Sequence, residues 1–114
     1  MTRIAIVGTG FVADYYMTTL ANYADLSLAG AWDRDTARLH AFCTFHNVQA
    51  FSGLEAILND QSVDIVVNLT TPESHYQINK LALEAGKHVY CEKPISETLD
   101  EALDGMTHLC ATAM

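Results

Sequence analysis

A glycine-rich turn lies between an apolar run and an amphipathic stretch near the start of the chain. The apolar run is Ile4-Ala5-Ile6-Val7, the turn is Gly8-Thr9-Gly10, and the amphipathic stretch begins at Phe11. A short apolar run bounded by glycine is typical of a strand, and apolar side chains at helical spacing are typical of a helix. This order of strand, turn and helix predicts a parallel α/β protein.

Strand and helix patterns continue to alternate along the rest of the chain. The predicted strands are 3–7, 26–32, 48–51, 64–69 and 88–91, and the predicted helices are 11–23, 36–46, 52–58, 72–85 and 98–114. Ser52 and Thr98 each stand three residues before a glutamate, which is the capping-box pattern of a helix start. Gly86 is typical of the left-handed residue that ends a helix. We therefore predict an α/β fold with a doubly wound parallel sheet, in one domain spanning 1–114.

The chain is acidic, with a formal net charge of -8 over 114 residues. Nucleic acids and anionic membrane surfaces both select proteins with a basic face, so this charge disfavours both as partners. No apolar stretch approaches the roughly 20 residues of a membrane span. The N-terminus has a single basic residue and an apolar run broken by glycine, which is unlike a signal peptide. These features predict a cytoplasmic protein.

The cysteines, Cys43, Cys91 and Cys110, are odd in number and share no CxxC spacing. They predict buried thiols in a reducing compartment rather than a disulfide framework or a zinc site. The histidines show no ligand spacing either, so we expect no metal site.

The glycine turn has the chemistry of a phosphate-binding loop. Gly8 allows the tight turn out of the strand, and Gly10 has no side chain, so the backbone can approach a pyrophosphate closely. Ala13 stands at the third glycine position of the GxGxxG pattern. A helix that begins at Phe11 and Val12 offers free N–H groups and a partial positive charge to phosphates. The turn therefore predicts a bound dinucleotide, although a glycine turn without a ligand remains the alternative.

Asp33 lies at the end of the second predicted strand, about 20 residues beyond the turn. A carboxylate there accepts hydrogen bonds from the ribose hydroxyls of the adenosine half, and it repels a 2′-phosphate. This favours NAD over NADP. Arg34 leaves NADP possible, because an adjacent guanidinium binds phosphate or stacks on adenine. The competing interpretation is a solvated turn in which Asp35 caps the next helix.

Residues after the fourth predicted strand should border the nicotinamide half of the ligand. In doubly wound sheets the ligand lies beyond the carboxyl ends of the strands, at the point where strand order reverses. Thr70 and Thr71 offer hydroxyl and backbone groups there, and Pro72 suits the first position of the following helix. Thr71 could instead serve only as a helix cap. His75 is a candidate site residue, but a hydrogen-bonded structural histidine is the more common case.

Glu92-Lys93-Pro94 follows the fifth predicted strand at the same edge of the sheet. A lysine in a ligand crevice can donate to a substrate oxygen and stabilise negative charge that develops there. We therefore predict Lys93 as the catalytic residue, with a surface ion pair to Glu92 as the alternative.

These motifs together resemble the Gfo/Idh/MocA oxidoreductases, the glucose-fructose oxidoreductase and inositol dehydrogenase family. The most specific part is Ala85-Gly86-Lys87-His88-Val89 running into Glu92-Lys93-Pro94, and Thr71-Pro72 with His75 adds to it. The resemblance implies a Rossmann domain of strand order 3-2-1-4-5-6 that binds NAD(P). It implies that Glu92 approaches the cofactor ribose and that Lys93 lies near nicotinamide and substrate. It also implies hydride transfer between nicotinamide and a sugar, cyclitol or related polyol.

The resemblance also implies parts that this sequence does not contain. Family members carry a sixth strand in this domain and a second domain with the substrate pocket, a catalytic histidine and the oligomer interface. We therefore expect a fragment that binds dinucleotide but catalyses little alone, with an open sheet edge covered by a second copy as a homo-oligomer. The alternatives are a dinucleotide-binding sensor or partner module without chemistry, and a scaffold whose cofactor site is vestigial.

Overall fold

Four parallel strands form one sheet in the computed structural model, which describes residues 2–20 and 22–91 and, within them, no side chain for Pro72 or Glu73. The strands are β1 (Thr2–Val7), β2 (Leu26–Trp32), β3 (Ile65–Asn68) and β4 (His88–Cys91). Their order across the sheet is β2-β1-β3-β4. The chain thus moves from β1 to one side, and then crosses to the other side at β3. This reversal confirms the predicted doubly wound parallel sheet.

Helices cover both faces of this sheet. They are α1 (Phe11–Leu20), α2 (Thr36–His46), α3 (Leu54–Leu58) and α4 (Pro72–Glu84). Ala5 and Val7 of β1 pack with α3 and α4, whereas Ile4 and Ile6 pack with α1 and α2. Because successive side chains of a strand point to opposite faces, β1 supplies both hydrophobic cores. Its continuous apolar run is the sequence signature of a strand buried on both sides.

The third predicted strand, 48–51, does not form. Only Ala50 makes a bridge, to Ala31 of β2. The Ala31 N–H donates to the Gln49 carbonyl at 3.0 Å and its carbonyl accepts from the Phe51 N–H at 2.8 Å. The chain reaches α3 immediately afterwards, so the ladder stops at one residue. The described strands therefore follow the predicted order. The third predicted strand is represented only by the bridge between Ala50 and Ala31.

Two predicted helix ends were wrong. The first helix ends at Leu20 rather than residue 23, because the Asn22 and Tyr23 N–H groups turn back to carbonyls three residues earlier. Ser52 does not cap α3. The cap is Gly53, which has an extended backbone and no side-chain hydrogen bond, so the predicted capping box is absent.

The other predicted helix ends agree with the structure. α2 has the predicted bounds, and Asp35 caps it by accepting a hydrogen bond from the Arg38 N–H at 3.1 Å. α4 begins with Thr71 at the cap position and Pro72 in the first turn. Gly86 follows α4 with a φ of 83°, as its predicted role requires.

The described thiols, Cys43 and Cys91, are free and only partly buried, so they are less buried than the sequence predicted. Burial raises the pKa of the Cys43 thiol. The predicted last helix and Cys110 lie outside the described residues. Within the described residues, no helix has the length and apolar character needed to span a bilayer.

Candidate functional site

A crevice of about 570 Å³ opens at the carboxyl ends of β1, β2 and β3. It lies at the point where the strand order reverses, which is where open α/β sheets bind ligands. The starts of α1 and α4 form its sides. The predicted site residues on its wall are Gly8, Gly10, Phe11, Val12, Asp33, Arg34, Thr70 and Thr71.

Gly8 follows β1 and lies against the backbone that follows β3, the neighbouring strand at which the strand order reverses. Its φ is 96°, and a Cβ built on it would lie 2.7 Å from the Leu69 carbonyl carbon and 2.8 Å from the Thr70 nitrogen. Any side chain here would be strained by the backbone angle and would collide with the backbone after β3. The need for glycine at this position is therefore explained by the fold itself.

Gly10 differs from Gly8 in this respect. Its φ is not positive, and the nearest atom to a built Cβ is the Arg38 Nη1, at 3.9 Å. The protein around Gly10 would accept a methyl group. The missing side chain leaves open space on the crevice wall, where α1 begins. The first N–H groups of a helix have no partner within the helix, so α1 presents donors to this space.

Asp33 is held against the glycine turn by Thr9. Its Oδ2 accepts hydrogen bonds from the Thr9 N–H at 2.8 Å and the Thr9 hydroxyl at 2.9 Å, and its Oδ1 accepts from the Asp35 N–H at 2.8 Å. Burial raises the pKa of Asp33, but these hydrogen bonds and the charge of Arg38 together outweigh burial, so the pKa lies below its ordinary value. Asp33 is therefore a buried, ionised carboxylate. The alternative of a solvated turn holds for Arg34 and Asp35, which are exposed, but not for Asp33.

Two arginines border the same end of the crevice as Asp33. Arg34 was predicted, and Arg38 was not. The Arg38 Nη1 lies 3.9 Å from the Asp33 Oδ2, and about half of the Arg38 side chain is exposed. Arg38 lies in the first turn of α2, three residues after the Asp35 cap. This spacing places it on the same side of the helix as the end of β2. That spacing was the sequence signal for it. Thr9 was also missed, because its partner Asp33 is distant in the sequence.

Of the other predicted residues, His75 lies off the crevice wall, and Glu92 and Lys93 lie outside the described part of the chain. His75, on α4, is 2% exposed and does not line the crevice. Pro72 occupies the start of α4. Thr71 occupies the cap position of α4 without a side-chain capping hydrogen bond, and it also lines the crevice. Glu92 and Lys93 lie immediately beyond β4, outside the described residues. Their predicted roles stay predictions.

Asn68 is a fully buried polar residue that the sequence did not predict as a site residue. It ends β3 with no exposed surface, and its Oδ1 accepts a hydrogen bond from the Thr70 hydroxyl at 2.6 Å. A buried amide next to the crevice had no signal in the strand pattern. Within residues 2–20 and 22–91, no three His, Cys, Asp or Glu side chains are arranged to hold a metal ion.

Comparison with known proteins assigns the family. Residues 2–113 match the GFO_IDH_MocA oxidoreductase family, described as having an NAD-binding Rossmann fold. The chain belongs to this family. It therefore carries the NAD-binding Rossmann domain of the GFO_IDH_MocA oxidoreductases, as the sequence motifs predicted.

Individual relatives of this GFO_IDH_MocA chain agree with that assignment. It is 35% identical over 106 residues to the uncharacterised oxidoreductase C26H5.09c of Schizosaccharomyces pombe, covering 88% of this chain and 28% of that protein. It is 31% identical over 102 residues to the scyllo-inositol 2-dehydrogenase (NADP(+)) IolU of Bacillus subtilis, covering 89% of this chain and 31% of that protein.

A solved structure agrees at the level of the backbone. The crystal structure of an NAD-binding protein from Listeria innocua matches with a TM-score of 0.91 and 31% identity, covering 98% of this chain and 33% of that one. The GFO_IDH_MocA chain thus spans 28–33% of the length of these relatives.

Proposed function

We propose that this domain binds a nicotinamide dinucleotide across the carboxyl ends of β1, β2 and β3. The diphosphate would lie on the main-chain amides between Gly10 and Val12, at the start of α1. The observation that carries the proposal is the space beside Gly10, where the protein has room for a side chain and the sequence supplies none. A glycine that the fold does not require fits a ligand that approaches the backbone closely.

The adenosine half would lie at the Asp33 end of the crevice. The ribose hydroxyls would donate to the Asp33 carboxylate, whose oxygens can each accept more than one hydrogen bond. A 2′-phosphate would meet the negative charge of Asp33, but also the guanidinium groups of Arg34 and Arg38. We therefore propose NAD as the preferred cofactor, with NADP accepted.

The nicotinamide half would lie at the opposite end, over β3 and towards the end of β4. Thr70 and Thr71 border the crevice there. When bound, nicotinamide supplies or accepts the hydride. Where this domain is joined to a substrate domain, Lys93 would donate a hydrogen bond to the reacting oxygen of the substrate and stabilise charge that develops on it. The substrate class we propose is a sugar, cyclitol or related polyol.

Binding is tested by titrating the chain with NADH and following nicotinamide fluorescence. We expect saturable binding, and an absence of binding to both NADH and NADPH would contradict the proposal and favour a vestigial site. Catalysis is tested with Lys93→Ala in a longer protein that joins this domain to a substrate domain. Turnover that is lost while NADH affinity is kept would support the enzyme. A longer protein that binds NADH but turns over no polyol would favour a sensor.

A further inference from the structure

Two buried asparagines connect the crevice to the end of β4. Asn68 is 0% exposed and Asn79, on α4, is 5% exposed. The Asn68 Nδ2 donates to the Asn79 Oδ1 at 2.8 Å and to the His75 carbonyl at 3.2 Å. Buried amides are costly unless their polar atoms are hydrogen-bonded. The interior tolerates this pair because both side chains have hydrogen-bond partners.

The chain of hydrogen bonds has one end at the crevice wall. The Asn68 Oδ1 accepts from the Thr70 N–H at 3.2 Å and from the Thr70 hydroxyl at 2.6 Å. Thr70 lines the crevice. Asn68 therefore fixes both the backbone and the side chain of a wall residue.

The other end lies at β4. The Asn79 Nδ2 donates to the Cys91 Sγ at 3.3 Å. Cys91 is the last residue of β4 and immediately precedes Glu92-Lys93-Pro94 in the sequence. The path from Thr70 through Asn68 and Asn79 to Cys91 thus links the end of β3, at the crevice wall, to the end of β4.

Backbone groups determine the direction of this path. The Thr70 N–H can only donate, so the Asn68 side chain must turn its oxygen towards Thr70. The His75 carbonyl can only accept, so the Asn68 nitrogen must face α4. Asn79 must then present its oxygen to Asn68 and its nitrogen to Cys91. Reversal of either amide would place like groups against each other.

We propose that Asn79 is a positioning residue for the nicotinamide half of the cofactor site. It does not line the crevice, and it acts through Asn68 on Thr70 and through Cys91 on the end of β4. This inference rests on the proposed dinucleotide site. A core built only for stability would have no need of the pair, because replacing both partners of a buried hydrogen bond by apolar groups can be nearly neutral.

The test compares two ligands on the full 114-residue chain. NADH contains the nicotinamide half, and ADP-ribose contains only the adenosine, the diphosphate and a ribose. Asn79→Leu keeps the branched shape of the side chain and removes both of the Asn79 side-chain hydrogen bonds. We expect NADH affinity to fall by about tenfold, the effect of roughly one hydrogen bond, while ADP-ribose affinity stays within about twofold.

Two further variants separate positioning from loss of stability. Cys91→Ala removes only the β4 partner and should cause the same selective loss of NADH affinity. Ile57→Ala is the matched control, because Ile57 is fully buried in α3 and lies off the crevice wall. Its destabilisation, measured by urea unfolding, should leave the ratio of the two affinities unchanged.

The outcomes are distinct. If Asn79→Leu and Cys91→Ala weaken both ligands equally, or weaken neither, the positioning role is overturned while the dinucleotide site stands. If Ile57→Ala changes the ratio as Asn79→Leu does, the role is also overturned. If Asn79→Leu does not fold, Cys91→Ala decides. A wild-type chain that binds neither ligand overturns the proposed function and this inference together.

Discussion

The Asp33 carboxylate accepts hydrogen bonds from both the backbone amide and the hydroxyl of Thr9, at 2.8 and 2.9 Å. Asp33 directly follows β2, and Thr9 lies in the turn after β1. The contact therefore holds the glycine turn in place from the neighbouring strand. Asp33 supports the site before any ribose is bound, so its substitution should affect folding stability as well as cofactor affinity.

The first prediction concerns the stability of the Asp33 contacts. Asp33→Asn should lower the free energy of unfolding at pH 7 by about 1–2 kcal/mol, because an amide has one acceptor oxygen where the carboxylate has two. Its NH₂ group would then face an N–H donor. Urea denaturation measures the change. Asp35→Asn is the control, since asparagine caps a helix as well as aspartate does, and it should change little.

The second prediction is the pH dependence of the same contact. The folded-state pKa of Asp33 is lower than the ordinary value, so the ionised carboxylate stabilises the fold above the unfolded-state pKa. This contribution should be lost as pH falls from about 5 through the folded-state pKa. Urea unfolding at several pH values should show a shallower acid loss in Asp33→Asn than in the wild type. Identical slopes would contradict the assignment.

The third prediction separates the two glycines of the turn. Gly8→Ala should destabilise the fold by about 1–3 kcal/mol, because its φ of 96° and the close Leu69 backbone both exclude a side chain. Gly10→Ala should leave unfolding nearly unchanged and lower NADH affinity at least tenfold, since its methyl would occupy the ligand space. Gly53→Ala, with no atom within 4 Å of the built Cβ, is the control. Unchanged NADH affinity in Gly10→Ala would be the contrary result.

The sequence predicted the fold well where the pattern was local. The bounds of β2 and α2 agree with the predicted ones because apolar spacing, the Asp35 cap and the following turn all lie within the segment. The strand predicted at 48–51 does not form, because a strand depends on how many residues pair with its neighbour. The sequence of the segment does not show that only Ala50 pairs.

The candidate site was predicted only in part for the same reason. Gly8 and Gly10 were both predicted from a motif. The motif does not show that the fold requires glycine only at Gly8, because that depends on the Leu69 backbone, which comes from a distant part of the sequence. The Asn68–Asn79 pair was missed because its two members lie on different elements, β3 and α4. A buried polar pair has no periodic signal in one sequence, and its members read as ordinary strand-end and helix residues.

The fourth prediction concerns the choice between NAD and NADP. Arg34→Ala and Arg38→Ala should each weaken NADPH binding by about three- to tenfold while changing NADH affinity less, because the 2′-phosphate is the only added charge. Paired titrations of the two reduced cofactors measure the ratio. Lys80→Ala, on α4 and off the crevice wall, is the control for loss of a positive charge. Equal losses for both cofactors would contradict the assigned role.

The most direct test of the central claim is an amide-resolved NMR titration of the ¹⁵N-labelled chain with NAD⁺. The account predicts the largest and saturable shifts at the backbone amides of Gly8 to Val12, with further shifts at Asp33, Thr70 and Thr71. Shifts confined to other surfaces, or a spectrum unchanged at millimolar NAD⁺ and NADP⁺, would contradict the proposed placement of the dinucleotide.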